Sequence, residues 1–310
     1  MSLRILVVGA GAVGGYFGAR LVEAGRDVTF LVRAGRARQI ERDGLVIVSP
    51  FGDATLRPKL TSAASLAGPF DVILLGVKAY TLEGAVADMA PAVGPDTMIV
   101  PMLNGMRHLD VMAARFGEKP VLGGVCRVST ELDPAGRILQ HARFQQLAYG
   151  EQDGSMTPRI ARLDETLKGA GFDTEASTTI MQAMWDKWVQ LATMGAVSCL
   201  LRGTPGEVAT VPGGAQVARA ILDECVAVAD AWGRRPSDDH VSRLVAVVTD
   251  AGSKIASSMY RDLRKGAAVE ADQIVGDYLA RGVAKGLETP LLQAAAVNLA
   301  VYQAERARAA

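Results

Sequence analysis

The chain has 310 residues, which at ordinary domain sizes is room for two domains. Hydrophobic residues make up 49% and charged residues 21%, the composition of a globular protein with real cores. Basic and acidic residues both number 33 and aromatics are 5%, a balance that argues against nucleic acid or an anionic membrane as partner.

"LRILVVGAGAVGGYFGARLVEAG" reads as a strand, a glycine turn and a helix. Leu3 to Val8 is a continuous apolar run, as in a strand buried on both faces. Val13 to Ala24 continues as a helix that Gly25 stops. Further strands are expected in "DVTFLVRAG", at Asp71 to Gly76 and at Thr97 to Pro101, with helices between them such as "TLEGAVADMAPAV". Strands alternating with helices predict a Rossmann-like, doubly wound parallel sheet of the α/β class. From 120 to 177 the pattern shifts to shorter strands ("PVLGGVCRVSTEL", "GRILQHAR", "QLAYGEQDG"), a helix at 157–170 and a last strand or connector in "FDTEAST". From about 180 the strands stop. Helices are expected at 180–201, 213–233, 237–258, 269–285 and 289–308, punctuated by Pro205, Pro212, Gly233, Pro236 and Pro290. The expected division is a dinucleotide-binding domain over 1–178 and an all-helical domain over 179–310.

Cys126, Cys199 and Cys225 form no CxxC pair and no zinc spacing with His108, His141 or His240, so they read as buried hydrophobes and no metal is expected. The chain shows no secretion signal and no membrane-spanning run, so a cytoplasmic protein is expected.

Gly9-Ala10-Gly11-Ala12-Val13-Gly14 fits G-x-G-x-x-G. The pattern is weak alone, but here it leaves a buried strand and opens a helix, the context in which it holds a dinucleotide. The first glycine allows the tight turn, the second lets a pyrophosphate near the backbone, and the third lets helix and strand pack closely. Free N–H groups at the helix start suit the phosphates. A cofactor with a free ribose 2′-OH usually meets an acid about 20 residues further on. This chain has Arg33 there instead, followed by Arg36 and Arg38. Arginine suits a 2′-phosphate, so NADP(H) is expected over NAD(H), with Arg33 the better candidate contact and Arg36 the lesser.

"MQAMWDKWVQLATMGAVSCLL" raises the question of catalysis. On a helical wheel its polar stripe is Gln182, Asp186, Gln190 and Thr193. Lys187 falls off that stripe, beside Ile180, Met184, Leu191 and Met194, on the side that should face a core. An ammonium is rarely buried without a purpose or a partner.

With these residues in view, the chain resembles the ketopantoate reductase family (2-dehydropantoate 2-reductases), nearly end to end. The motifs that carry the resemblance are "GAGAVGGYFGARL", "VKAY" with Lys78, "LNG" with Asn104, "LGGVCRVSTELDPAGRILQH", "MWDKW" with Lys187, and "SSMYRDLRKGAAVEADQIVGDYL" with Ser258 and Glu270. The resemblance implies NADPH-dependent reduction of a 2-oxo acid to a 2-hydroxy acid, as in 2-dehydropantoate to pantoate. It implies Lys187 as general acid and Glu270 as partner of that lysine or of the substrate. Ser258 would bind substrate, and Lys78 and Asn104 would line the cofactor–substrate cleft, with Glu270 also counted among the cofactor contacts. Independent chemistry agrees: hydride transfer to a ketone leaves an alkoxide that must be stabilised and protonated, and a half-desolvated lysine can do both.

The family's helix pattern carries asparagines four and eight residues after the lysine, and a proline after the second. This chain has Leu191, Gly195 and Ala196 there. Losing two amides predicts a more apolar wall and leaves the substrate open between ketopantoate and a related 2-oxo acid that is larger or less polar. The expected partner is a small-molecule 2-oxo acid, with a homodimer left open. The same loss motivates a different reading, an NADPH-binding sensor or scaffold without efficient catalysis.

Overall fold

The computed structural model describes residues 3–309, so the outer ends of the two expected domains, residues 1, 2 and 310, lie outside the described residues. The chain gathers into two compact units. One is Met1–Leu103 with His108–Met181; the other is Asn104–Arg107 with Gln182–Ala310.

The elements up to residue 176 are β1 (Arg4–Val8), α1 (Ala12–Glu23), β2 (Asp27–Leu31), α2 (Ala34–Asp43), β3 (Leu45–Val48), β4 (Ala54–Leu56), β5 (Lys59–Thr61), β6 (Val72–Leu75), α3 (Leu82–Met89), β7 (Met98–Pro101), α4 (Arg107–Phe116), β8 (Gly123–Leu132), β9 (Ile138–Gly150), α5 (Pro158–Leu167) and β10 (Asp173–Ala176). A five-stranded, wholly parallel sheet runs β5-β2-β1-β6-β7. Its central strands are uninterrupted apolar runs because helices cover both faces: Ile5, Leu6 and Val7 of β1 and Ile73 and Leu74 of β6 are fully buried. The strand order reverses between β1 and β6, and the crevice outside the carboxyl ends of such a pair is where open α/β sheets bind ligands.

A second sheet in the same unit runs β10-β9-β3-β4, with β8 antiparallel to β9. Its longest member departs from the sequence reading. Ile138 to Arg143 of "GRILQHAR" and Gln146 to Gly150 of "QLAYGEQDG" belong to the single strand β9, 13 residues long. His141, Arg143 and Phe144 in its middle are exposed, so the polar stretch looked like an interruption. The helix expected at 157–170 ends at Leu167, just before Gly169 takes a left-handed φ of 74°.

The remaining elements are α6 (Ile180–Leu201), α7 (Pro205–Ala209), α8 (Gly214–Ala231), α9 (Asp238–Thr249), α10 (Ser258–Arg264), a π-helical segment (Asp272–Gly276), α11 (Asp277–Ala284) and α12 (Pro290–Ala309). The helix expected over 237–258 stops at Thr249, where the Asp250 carboxylate accepts the Gly252 N–H at 2.8 Å and draws the backbone into a turn. The helix expected over 269–285 opens as the π segment. The short helices α7 and α10 are additions. A reciprocal capping box of Thr204 and Glu207 starts α7, and Ser257 caps α10 through the Tyr260 N–H at 3.1 Å.

The face assignment of α6 needs one correction. Thr193 is fully buried, so the polar stripe ends above it. Gln182 and Asp186 hold each other at 2.8 Å, and beyond them the helix is apolar on nearly every side, as an enclosed helix must be. The three tryptophans gather in this unit. Trp185 lies 5.2 Å from Trp188 and 6.3 Å from Trp232 between ring centres, and the Arg281 guanidinium stands 5.3 to 6.0 Å from all three rings.

All three cysteines are buried and none is in a disulfide among the described residues. Burial pushes Cys199 and Cys225 up to about 12, so at pH 8 both are neutral and poorly nucleophilic. Native protein treated with an aromatic disulfide reagent at pH 8 should release almost no chromophore over minutes, whereas protein in guanidinium chloride should release the equivalent of three thiols.

Candidate active site

The glycine turn joins β1 to α1. Gly9 has a φ of 93°, which an L side chain rarely adopts, and a Cβ there would stand 2.9 Å from Val77 Cγ1. A Cβ on Gly14 would collide with the Gly9 carbonyl oxygen. These two glycines are required by the protein's own packing. Gly11 is not: a Cβ there would meet nothing within 4 Å. Gly11 is also the N-cap of α1, with no side-chain cap and no acid in the first turn. The start of α1 therefore offers backbone N–H groups and a positive dipole end beside open space. That is the cradle a pyrophosphate needs, so the residues present fit a dinucleotide cofactor.

Gly76, just past β6, packs against the same turn; a Cβ on it would stand 2.6 Å from Gly14 Cα. Lys78 follows two residues later, exposed, at the start of a short 3₁₀ turn whose closing bonds run from Thr81 N and Oγ1 to the Lys78 carbonyl, both at 2.9 Å. Lys78 and the glycine turn are thus held on neighbouring strand ends. Arg33 caps α2 just beyond β2 and is exposed, and its side chain makes no hydrogen bond or ion pair among the described residues. Arg36 is different. Its Nε donates to the Ala10 carbonyl at 2.8 Å and its Nη1 to the Gly136 carbonyl at 2.7 Å and to Gln39 Oε1. Burial pulls this guanidinium below its ordinary pKa, and no carboxylate is among its hydrogen-bond partners.

In the other unit, Lys187 is half-buried near the middle of α6. The next residue, Trp188, is 1% exposed and donates its indole N–H to the Ile274 carbonyl at 2.9 Å, inside the π segment. Glu270, 8% exposed, stands four residues before Ile274, whose N–H bonds the Glu270 carbonyl at 3.0 Å. The Trp188 bond therefore fixes the lysine-bearing helix to the segment that begins at the glutamate. Asn104 joins the same segment. Gln273 Nε2 donates to the Asn104 carbonyl at 2.8 Å, and Gly105, at a φ of 77°, lies so close to Gln273 that a Cβ would stand 2.5 Å from its carbonyl oxygen. Lys187, Glu270 and Asn104 thus stand on backbone that converges on Asp272–Gly276. π turns recur at functional sites because the extra residue re-aims side chains.

Ser258 is half-buried at the first position of α10, where the capping is done by Ser257; the Ser258 hydroxyl is bonded to nothing among the described residues. Its neighbour Met259 is 3% exposed, and its methyl group fills the space over Gly195, where a Cβ would collide with it. Leu191, one turn earlier, is half-buried. The wall that continues α6 past Lys187 is therefore apolar. Trp188 and Gln273 as anchors of the site were not readable beforehand, because each bonds a backbone carbonyl 86 or 169 residues distant in sequence. Among the described residues no group of His, Cys, Asp and Glu could hold a metal, and no helix is long and apolar enough to cross a membrane.

Residues 5–154 match the model of the ketopantoate reductase PanE/ApbA family, and residues 179–303 match that of the family's C-terminal domain. The chain is 34% identical over 304 residues to the uncharacterized oxidoreductase YkpB of Bacillus subtilis (strain 168), covering 98% of this chain and 100% of that protein. It is 31% identical to the 2-dehydropantoate 2-reductase of Archaeoglobus fulgidus, over 92% of each chain. Among solved structures, a PanE/ApbA family ketopantoate reductase from Ralstonia eutropha JMP134 superposes with a TM-score of 0.88 at 26% identity, over 98% of this chain and 100% of that one. The match of both family regions, on a sheet whose reversal point carries the glycine cradle, places this chain in the ketopantoate reductase family, as an oxidoreductase that works with a nicotinamide cofactor.

Proposed function

We propose that the chain is an NADPH-dependent reductase that converts a 2-oxo acid to the 2-hydroxy acid, with Lys187 as general acid. The observation that carries this reading is the anchoring of the Lys187 helix to the Glu270 segment through Trp188 and Ile274 at 2.9 Å, in a family of oxidoreductases. The bound cofactor supplies the hydride. Lys187 stabilises the charge that develops on the carbonyl oxygen and delivers the proton to it. Glu270, nearly buried, orients the ammonium or the substrate. Ser258 and Lys78 offer donors to the substrate carboxylate, and Asn104 to the cofactor or substrate. Gly9 to Gly14 hold the pyrophosphate, and the unpaired Arg33 takes the 2′-phosphate that separates NADPH from NADH.

Two relatives named 2-dehydropantoate 2-reductase, from Archaeoglobus fulgidus and Mesorhizobium japonicum, support 2-dehydropantoate or a near analogue as substrate. Leu191 and the methionine-covered Gly195 favour a 2-oxo acid with a less polar side chain. An apolar wall gives a substrate hydroxyl no partner, which disfavours a hydroxylated 2-oxo acid against an apolar one by about 10²-fold at most.

A panel of 2-oxo acids, run with NADPH and NADH side by side, tests the reading. NADPH should be oxidised, with kcat/KM higher for branched apolar 2-oxo acids than for 2-dehydropantoate. NADPH that binds tightly and is oxidised with no member of the panel would replace the reductase with a cofactor-binding sensor. Lys187→Ala should lower kcat by about 10² to 10⁴ while the NADPH Kd stays at the wild-type value; turnover unchanged in that variant would sink the general-acid role. Arg33→Ala should raise the NADPH Kd by about tenfold or more, the worth of a hydrogen bond to a charged group, and leave NADH binding nearly as it was.

A further inference from the structure

Arg36 stands one helical turn beyond Arg33, and its bonds point away from any role as a second phosphate contact. All three of its hydrogen-bond acceptors are carbonyl oxygens: Ala10 in the glycine turn, Gly136 in the turn between β8 and β9, and Gln39 on its own helix. The far anchor is built for this contact. Gly136 has a φ of 78°, and a Cβ on it would stand 2.7 Å from Gln39 Cδ and 2.8 Å from Arg36 Nη1. Gln39 Nε2 reaches the Ala135 carbonyl at 3.4 Å, and Asp133 closes the same turn by accepting the Arg137 N–H at 2.8 Å. Two residues on, Ile138 is fully buried and lies where a Cβ on Gly15, in the first turn of α1, would stand 2.5 Å from its Cδ1. The β8–β9 turn is therefore a fixed abutment beside the glycine turn, and Arg36 is the strut between them.

We propose that Arg36 is a positioning residue for the cofactor's pyrophosphate: by holding the Ala10 carbonyl against the β8–β9 turn, it sets the peptide planes of the glycine turn whose N–H groups face the phosphates. In a trans peptide the C=O and N–H point in opposite directions. A guanidinium that pulls the Ala10 carbonyl to one side turns the Gly11 N–H to the other. The fork geometry explains the arginine, since one flat group must meet carbonyls from two separate turns at fixed angles. Its Nη2 is buried and bonded to nothing among the described residues. Because no carboxylate shares its hydrogen bonds, its charge adds to the attraction for the pyrophosphate.

This inference rests on the cofactor reading above, and the test separates the two. NADPH, NADH and 2′-AMP are titrated against wild type, Arg33→Ala, Arg36→Ala, Arg36→Lys and Gly136→Ala by calorimetry, with thermal unfolding of each variant recorded. 2′-AMP carries the 2′-phosphate and lacks the pyrophosphate. Arg36→Ala should raise the Kd of NADPH and of NADH by the same factor, about tenfold or more, and leave 2′-AMP unchanged. Arg33→Ala should weaken NADPH and 2′-AMP and spare NADH. Gly136→Ala, which strikes the distant anchor and leaves the guanidinium in place, should weaken both dinucleotides in the direction of Arg36→Ala, and the double variant should be no worse than Arg36→Ala alone, as for two ends of one contact. A general loss of fold would weaken all three ligands together. Loss of 2′-AMP binding in a folded Arg36→Ala variant, or dinucleotide Kd values that do not move, would overturn the proposal. Should Arg36→Ala fail to fold, Arg36→Lys, which keeps the charge and loses the fork, carries the same comparison. Wild type that binds neither dinucleotide would remove the cofactor reading itself.

Discussion

The hydrogen bond from the Trp188 indole to the Ile274 carbonyl governs what the helical unit can do. A buried N–H on a fully enclosed ring must find an acceptor, and here the acceptor lies in a π-helical segment where the ordinary ladder is disturbed. That one demand fixes the rotation of α6 and hence the direction of Lys187. It also places the Glu270 segment against the same helix. Gln273 then draws the Asn104–Gly105 turn to the segment from a part of the chain far away in sequence, which is why four residues from the first half of the chain gather with the helical unit. The tryptophan is a structural residue, and the chemistry proposed for its neighbour depends on it.

The sheet unit obeys a different constraint, close approach of backbone to backbone. Gly9, Gly14 and Gly76 are mutually packed so tightly that none tolerates a side chain, whereas Gly11 faces open space. The contrast separates glycines that the packing itself requires from one that it does not. Motif counting cannot make that distinction, because the four residues look alike in the sequence.

Legibility followed the range of the interaction. The glycine turn and the parallel strands were readable because their rules are local: an apolar run, a turn, a helix start. Lys187 drew notice because it stood off its own helix's polar stripe, and α6 is indeed one continuous helix there. The strut made by Arg36 was not, since its acceptors lie 26 and 100 residues away. The π segment was not, because a period slightly longer than the α-helical one leaves no mark in five residues. The short strands β3, β4 and β5 escaped because none exceeds four residues and their exposure mixes inside and outside positions. Gly195 could be seen to lack an amide, but only the fold shows that Met259, 64 residues later, supplies the atoms that occupy its place.

The tryptophan cluster carries an optical consequence. Trp185, Trp188 and Trp232 are all of the chain's tryptophans, and all lie in the helical unit around Arg281. Emission excited selectively in indole comes from that unit alone, while the sheet unit, with tyrosines and phenylalanines only, is dark at that wavelength. The molecule thus carries an internal chromophore that distinguishes loosening of the helical unit from loosening of the sheet unit, without any label being added.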